Sequence, residues 1–305
     1  KKFESKCISK KGKLPIIIKG TQNPNPISYV ESKGSAQCKS AVMLASLNTK
    51  GTTIIKSKKS RNHTELLFKY LNLPIKIIQN NLYDIIKING KKTIKSFNYK
   101  IPADISSSAF FIALTALSNK SKLTIKDVNI NPSRVGVVKI LKKMGVKIIY
   151  RNIKKYKGEK IADIHVTSTK FLKPINCPPS LNSAAIDEFL IIFLIAAKAN
   201  GVSYFRDLSE LNQKESPRLK WGSKILRLMG IRTITKHNSI KIFGNPNLKV
   251  NKRIVIKNFL KDHRVFMTSV VAALSFGGKW IIHDKDSIKT SFPSFLKNIN
   301  KLKSK

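Results

Sequence analysis

Four stretches of the chain repeat one alternation of polar and apolar positions. Each opens on small or charged polar residues, continues as an apolar run of helical length, turns on small or polar residues, and closes on a β-branched run. The first passes from Gly34-Ser35-Ala36-Gln37 through AVMLASL to Lys50-Gly51 and TTIIK. The second passes from Asp104-Ile105-Ser106-Ser107 through AFFIALTAL to KLTIKD. The third opens at Asp187-Glu188, runs through FLIIFLIAA, turns at Asn200-Gly201 and ends in VSYFRD. The fourth opens at Asp262-His263-Arg264, runs through VFMTSVVAAL, turns at Gly277-Gly278 and ends in KWIIHD. Polar residues at such starts can accept from the free backbone N–H groups of a helix N-terminus.

A second helix recurs after the strand in three of these stretches. It reads from Ser60-Arg61 through LLFKYLNL, from Ser133-Arg134 through VVKILKKMG, and from Pro217-Arg218 through SKILRLMG, closing on Asn72, Gly145 and Gly230. Glycine or asparagine after an apolar-periodic run is a helix stop, and the β-branched residues that follow read as a strand. The pattern predicts an α/β chain of repeated helix–strand–helix–strand units, with further strands at IKIFG and RIVIK. Each helix presents an apolar face, so a unit needs its neighbours to close a core. Ile101-Pro102 and Lys173-Pro174 are expected joints, because the residue before proline favours extended backbone.

Length and composition narrow this further. At 305 residues, 42% of them hydrophobic, the chain can fill two domain cores. Its formal charge of +43 comes from 59 Lys and Arg against 16 Asp and Glu. Nucleic-acid binding, a site for multi-anionic substrates, and the Lys-Ile-Asn bias of an AT-rich genome would each raise that number. The lysines are spread over every segment, with no basic stripe, aromatic RNA signature or zinc-knuckle spacing, which favours compositional bias and argues against a specific nucleic-acid partner. Cys7, Cys38 and Cys177 have no metal or redox spacing and suit a reducing, cytoplasmic setting. No apolar run approaches the ~20 residues that span a bilayer. The opening Lys1-Lys2-Phe3-Glu4, without methionine or signal pattern, suggests a start partway into a longer protein.

At the helix starts the sequence resembles the family of 5-enolpyruvylshikimate-3-phosphate synthases. The matching runs are SAQCKSAVMLASLNTKGTT, SRNHTELL, IPADISSSAFF, NPSRVGVVKILKKMGV, IDEFLIIFLIAA, LSELNQKESPRL, DHRVFMTSVVAAL and TSFPSFL, in the family's order over residues 14 to 297. Ser-Ala-Gln in place of Ser-Ser-Gln is closer to the bacterial class II enzymes.

The resemblance implies a two-domain inside-out α/β barrel built from repeated small α/β units. Residues 1–100 would be the later part of one domain, its first segment absent, and 101–305 most of the second. It implies transfer of the enolpyruvyl group of phosphoenolpyruvate to the 5-hydroxyl of shikimate 3-phosphate, releasing phosphate. No metal or organic cofactor is expected. A monomer is expected, closing its two domains around the substrates. Two anionic substrates held together call for fixed cations, and arginine pairs bidentately with carboxylate or phosphate.

On the matching positions, Ser35, Ala36, Gln37 and Arg61 would bind shikimate 3-phosphate, together with Asp187 and Lys214. Gln37, Arg218 and Arg264 would bind phosphoenolpyruvate, with His263 in support. Asp187 would be the base for the hydroxyl and Glu215 the group for the methylene proton, assisted by Lys214. Without the resemblance, Ser35 and Gln37 read as helix capping and the arginines as solvated helix starts.

Three positions depart from the family pattern. Pro217 stands where an aspartate could orient Arg218, Ala103 replaces a glycine, and Asn212 replaces an arginine. Two other readings stay open: a non-catalytic decayed homologue or lysine-rich binding module, and a transferase of the same fold acting on UDP-N-acetylglucosamine.

Overall fold

The computed structural model describes residues 3–91 and 93–303. The chain divides into two compact units, Lys1–Ile101 with Lys155–Glu159, and Pro102–Lys154 with Lys160–Lys305.

In the first unit, strands β1 (Lys6–Lys10) and β2 (Lys13–Lys19) form an antiparallel hairpin. The rest is one repeat: β3 (Ser28–Glu31), α1 (Ala36–Ser46), β4 (Thr52–Lys58), α2 (His63–Tyr70), β5 (Ile75–Gln79) and β6 (Tyr83–Asn89). β3 and β4 are parallel, which requires the crossover that α1 supplies, and β6 runs antiparallel to both β4 and β5. Alternate residues of β4 and β6 turn inward, pairing Ile55 with Ile86 and Thr53 with Ile88. With Met43, Leu47, Phe68 and Leu73 these isoleucines form a small core.

The second unit repeats that plan. Elements α3 (Ile105–Leu117), β7 (Lys122–Asn129), α4 (Gly136–Lys143), β8 (Lys147–Tyr156) and β9 (Glu159–Thr167) are followed by the short α5 (Asn182–Ala185). Next come α6 (Phe189–Ala197), β10 (Val202–Phe205), α7 (Arg218–Leu228), β11 (Thr233–Thr235) and β12 (Ile240–Phe243). The chain then passes through β13 (Arg253–Ile256), α8 (His263–Phe276), β14 (Lys279–Ile282) and α9 (Phe295–Lys303). The sheets β7-β9-β8 and β10-β12-β11 have the same order as β4-β6-β5. The place of β3 is taken by single parallel bridges, Ala103 to Val128 and Asn176 to Tyr204. In the last copy β13 and β14 are parallel around α8. Ala103 thus serves as a strand residue, with its backbone bonded to Asp127 and Asn129 on both sides, a position that needs no glycine.

The caps fall at the predicted polar residues. Ser35, Asp104 and Asp262 precede α1, α3 and α8, and their side chains accept from the backbone N–H of Cys38, Ser107 and Arg264 at 3.2, 2.9 and 2.9 Å. The predicted stops Asn72, Gly145 and Gly230 all take left-handed backbone, with φ of 53, 90 and 89°.

Three helix starts differ from expectation. α2 and α4 begin at His63 and Gly136, so Arg61 and Arg134 lie in the turns before them. Before α4 the Asn131 side chain accepts from both the backbone and the hydroxyl of Ser133, and this local turn delays the helix. α6 starts at Phe189 with Glu188 at its cap, leaving Asp187 between two helices. All nine residues of α6 are buried, so it has no polar face at all. It is the centre of the second core, against which α3, α4, α7 and α8 pack. No helix among the described residues is long and apolar enough to cross a membrane.

Candidate functional site

The predicted site residues fall in both units, five of them on one network in the second, with His263 beside it in sequence. The N-terminal ends of α6, α7 and α8 carry Asp187 and Glu188, Arg218, and Asp262 to Arg264 respectively. Asp262 is fully buried and is the hub. Its carboxylate caps α8, accepts from Nε of Arg218 at 2.9 Å and from Nη2 at 3.4 Å, and accepts from Oγ of Ser216 at 2.8 Å. The Arg218 guanidinium, buried with it, also donates to Asp187 Oδ1 at 3.3 Å and to Glu215. Lys214 Nζ lies 3.6 Å from Asp187 Oδ1 and 2.8 Å from Glu210 Oε1. Arg264 Nη1 donates to the Asp187 carbonyl at 2.8 Å and reaches Glu188 Oε1 at 3.5 Å.

Proline at 217 therefore does not leave Arg218 unoriented. Asp262 fixes it from a position 44 residues away in the chain, and Ser216 braces that carboxylate. Pro217 takes the N-cap position of α7, where its missing N–H costs no helical bond and its carbonyl accepts from Trp221. Asn212 donates to the His237 carbonyl at 3.1 Å in the turn that leads to Lys214.

The network continues to α3. Arg134 Nη2 donates to Asp104 Oδ1 at 2.9 Å and to Ser106 Oγ at 2.6 Å. Six of the chain's 16 acidic residues (Asp104, Asp187, Glu188, Glu210, Glu215 and Asp262) are gathered on these cations. In so basic a chain, that concentration marks the cluster as built rather than incidental.

Electrostatics divide the carboxyls. Burial pushes Asp262 up, but the Arg218 guanidinium and the Ser216 hydroxyl outweigh it and hold it below its ordinary value. Asp104 behaves alike: burial is outweighed by Arg134 and by the N–H groups at the start of α3. Glu188 is raised, because burial exceeds the attraction of Arg264 and the hydrogen bond from Ser106. His263, at the first position of α8, is lowered by burial and then by Arg264, against the opposing pull of Asp262 and Glu215. The imidazole is therefore neutral near pH 7 and can donate from one nitrogen while accepting at the other.

The other predicted residues lie in the first unit. Glu31 accepts from the N–H groups of Lys33 at 3.1 Å and Gly34 at 2.6 Å, holding the turn that delivers Ser35 to the start of α1. Ser35 caps that helix, Ala36 and Gln37 form its first turn, and Gln37 is exposed. Arg61 is partly buried in the turn before α2, next to Ser60, whose hydroxyl is buried and finds no partner among the described residues. A helix N-terminus with its N–H groups and positive dipole end, beside an arginine, suits an oxyanion.

The sequence reading missed Asp262, Glu188 and Ser216 as contributors. Asp262 could have been found as a buried-type carboxylate next to a predicted arginine, whereas Glu188 gave no sign beyond its neighbour Asp187.

Comparison with known proteins bears on the whole chain. The family model for EPSP synthase (3-phosphoshikimate 1-carboxyvinyltransferase) matches residues 3–299. A 3-phosphoshikimate 1-carboxyvinyltransferase of Ruthia magnifica subsp. Calyptogena magnifica is 39% identical over 295 residues, covering 96% of this chain and 66% of the relative. One from Endomicrobium trichonymphae is 34% identical, covering 96% of this chain and 67% of the relative. The chain thus spans about two thirds of the length of these relatives. Among solved structures, EPSP synthase from Acinetobacter baumannii superposes with a TM-score of 0.86 at 31% identity, covering 98% of this chain and 68% of that one. The enolpyruvyl transferase NikO from Streptomyces tendae, at 16% identity and a TM-score of 0.73, shares the fold. The fold is that of the enolpyruvyl transferases, and the chain belongs to the EPSP synthase (3-phosphoshikimate 1-carboxyvinyltransferase) family.

Proposed function

We propose that this chain carries the machinery for transferring the enolpyruvyl group of phosphoenolpyruvate to the 5-hydroxyl of shikimate 3-phosphate. The observation that carries the reading is the network in which Asp187, Lys214, Glu215, Arg218 and Arg264 meet around Asp262. Arg218 and Arg264, fixed at the starts of α7 and α8, would hold the carboxylate and phosphate of phosphoenolpyruvate, with Gln37 as a further contact. Ser35, Ala36, Gln37 and Arg61 would hold shikimate 3-phosphate, together with Asp187 and Lys214.

The chemistry assigns the remaining groups. The methylene carbon of phosphoenolpyruvate takes a proton, and the 5-hydroxyl adds to C2 as it loses its own. The resulting tetrahedral centre then gives up a methyl proton as it expels phosphate, which restores the double bond. Glu215 would serve the methylene proton and Asp187 the hydroxyl. Lys214, which reaches Asp187, would assist that transfer, and neutral His263 would hydrogen-bond beside Arg264. The Glu215 side chain is half exposed and bonded only at its tip, so a bound substrate can move it.

Phosphorus NMR tests the reading. The protein, expressed with whatever flanking sequence its gene carries, is incubated with both substrates. Inorganic phosphate and an enol ether of shikimate 3-phosphate are expected to appear together. Phosphate released with UDP-N-acetylglucosamine in place of shikimate 3-phosphate would instead favour the sister transferase.

A further inference from the structure

Among the described residues, Lys39 is the one buried lysine in a chain crowded with exposed ones. It sits in α1 one turn after Ser35, and its backbone N–H donates to the Ser35 carbonyl at 3.1 Å. Its ammonium bonds Oε1 of buried Glu65 at 2.6 Å and donates to the carbonyl of Arg61 at 2.9 Å. Beside it, Ser40 Oγ and Thr64 Oγ1 lie 2.7 Å apart. α1 is therefore tied to the chain at residues 61–65 by three bonds from two adjacent residues, at the point where that chain enters α2. The same entry carries an ion pair between His63 Nδ1 and Glu159 Oε1, while Asn62 at the N-cap makes no side-chain capping bond to the helix.

Burying an ion pair is a poor route to stability, because desolvation consumes most of the attraction. A well-packed apolar pair would fill the same space. What the ammonium adds is direction: one donor on Glu65, and another on the main chain of a residue that reads as a phosphate ligand. We propose that Lys39 is a positioning residue for Arg61. Anchored by Glu65, its ammonium fixes the Arg61 main chain so that the guanidinium is presented beside the N-terminus of α1 to the phosphate of shikimate 3-phosphate. The proposal rests on the functional reading above, which gives Arg61 that ligand.

The test pairs Lys39→Met with Glu65→Leu, which removes both charges together and leaves no unpaired ion. Shikimate 3-phosphate is titrated calorimetrically into the wild-type chain, the double variant, Arg61→Ala, and the triple variant. The double variant is expected to bind about tenfold more weakly, the scale of coupling between contacting residues. On the Arg61→Ala background the same pair of changes is expected to cost nothing more. An affinity within about twofold of wild type at an unchanged melting temperature overturns the proposal, as does an equal loss without Arg61, given that additive effects mean independent sites.

Hydrogen exchange supplies a reading independent of the ligand. The backbone N–H groups of residues 60–62 are expected to exchange faster in the double variant, and unchanged protection there overturns the anchoring. Should wild type fail to bind shikimate 3-phosphate, the functional reading falls, and the exchange result still decides whether Lys39 holds the segment. If the double variant does not fold, Lys39→Gln with Glu65→Gln replaces the ion pair by an amide pair and is judged by the same outcomes.

Discussion

Arg218 and Asp262 show how one residue pair organises the site. A guanidinium placed at a buried helix start would be costly unless hydrogen-bonded, and Asp262 meets it at Nε while also capping α8. Removing the carboxylate leaves a buried cation and an uncapped helix. Asp262→Ala is therefore expected to lower stability by about 3–5 kcal/mol in urea unfolding, and a loss below about 1 kcal/mol, the ordinary scale of a surface pair, would contradict this account of the hub. The titrating groups give two opposed pH slopes. Asp104 and Asp262 are depressed in the fold, so their contribution is complete above the unfolded value of about 3.9 and is lost as pH falls through their lower folded values. Glu188 is raised, so its contribution is complete below the unfolded value of about 4.3 and is lost as pH rises through the folded one. Glu188→Gln removes only the second slope. The melting temperature of that variant is expected to gain on wild type as pH rises from about 4 upward, and two parallel curves would show that Glu188 is not raised.

At the scale of elements, the site depends on how closely α7 lies on α6. Gly222 permits that approach, since a Cβ there would stand 2.6 Å from Cδ2 of Phe193 and 3.2 Å from Cδ2 of Leu190. Gly222→Ala is expected to cost about 1–3 kcal/mol by overpacking, and Phe193→Ala about 3–5 kcal/mol by leaving a cavity. The double variant is expected to cost less than the two added together, because the new methyl group occupies part of the vacated space. Strict additivity in thermal unfolding would contradict the contact. These elements were largely legible in the sequence. Ser35, Asp104 and Asp262 precede apolar runs as caps do, and Asn72, Gly145 and Gly230 follow them as stops do, because capping is local chemistry. The start of α4 was misplaced where the turn held by Asn131 competes with the helix. The site was legible only in part. Its arginines announced themselves at helix starts, but the partnership of Arg218 with Asp262 is tertiary and leaves no local trace. Lys39 looked like one more surface lysine, and nothing in its neighbours' spacing reveals Glu65 packed on it.

At the scale of the molecule, charge and core size make separate predictions. A formal charge of +43 opposes compaction through self-repulsion, which dissolved salt screens. Stability is expected to rise between about 10 and 150 mM sodium chloride, as the screening length falls from about 30 to about 8 Å. A falling melting temperature would mean that the carboxylate clusters outweigh the general repulsion. The first unit rests on a handful of buried isoleucines with Met43 and Phe68, while the second is organised around the wholly buried α6. Calorimetry is expected to resolve two transitions, the smaller unit melting first, whereas a single transition whose calorimetric and van't Hoff enthalpies agree would contradict that. The central claim is that the network at the starts of α6, α7 and α8 performs enolpyruvyl transfer. It is tested most directly by phosphate release from phosphoenolpyruvate and shikimate 3-phosphate, comparing wild type with Arg264→Ala and Glu215→Gln in proteins shown to be folded. The account predicts substrate-dependent release by wild type and a fall of about 100- to 1,000-fold in kcat for each variant, the scale for losing one preorganised transition-state contact. Wild-type turnover that neither substitution reduces, or no turnover from the folded protein, would contradict it.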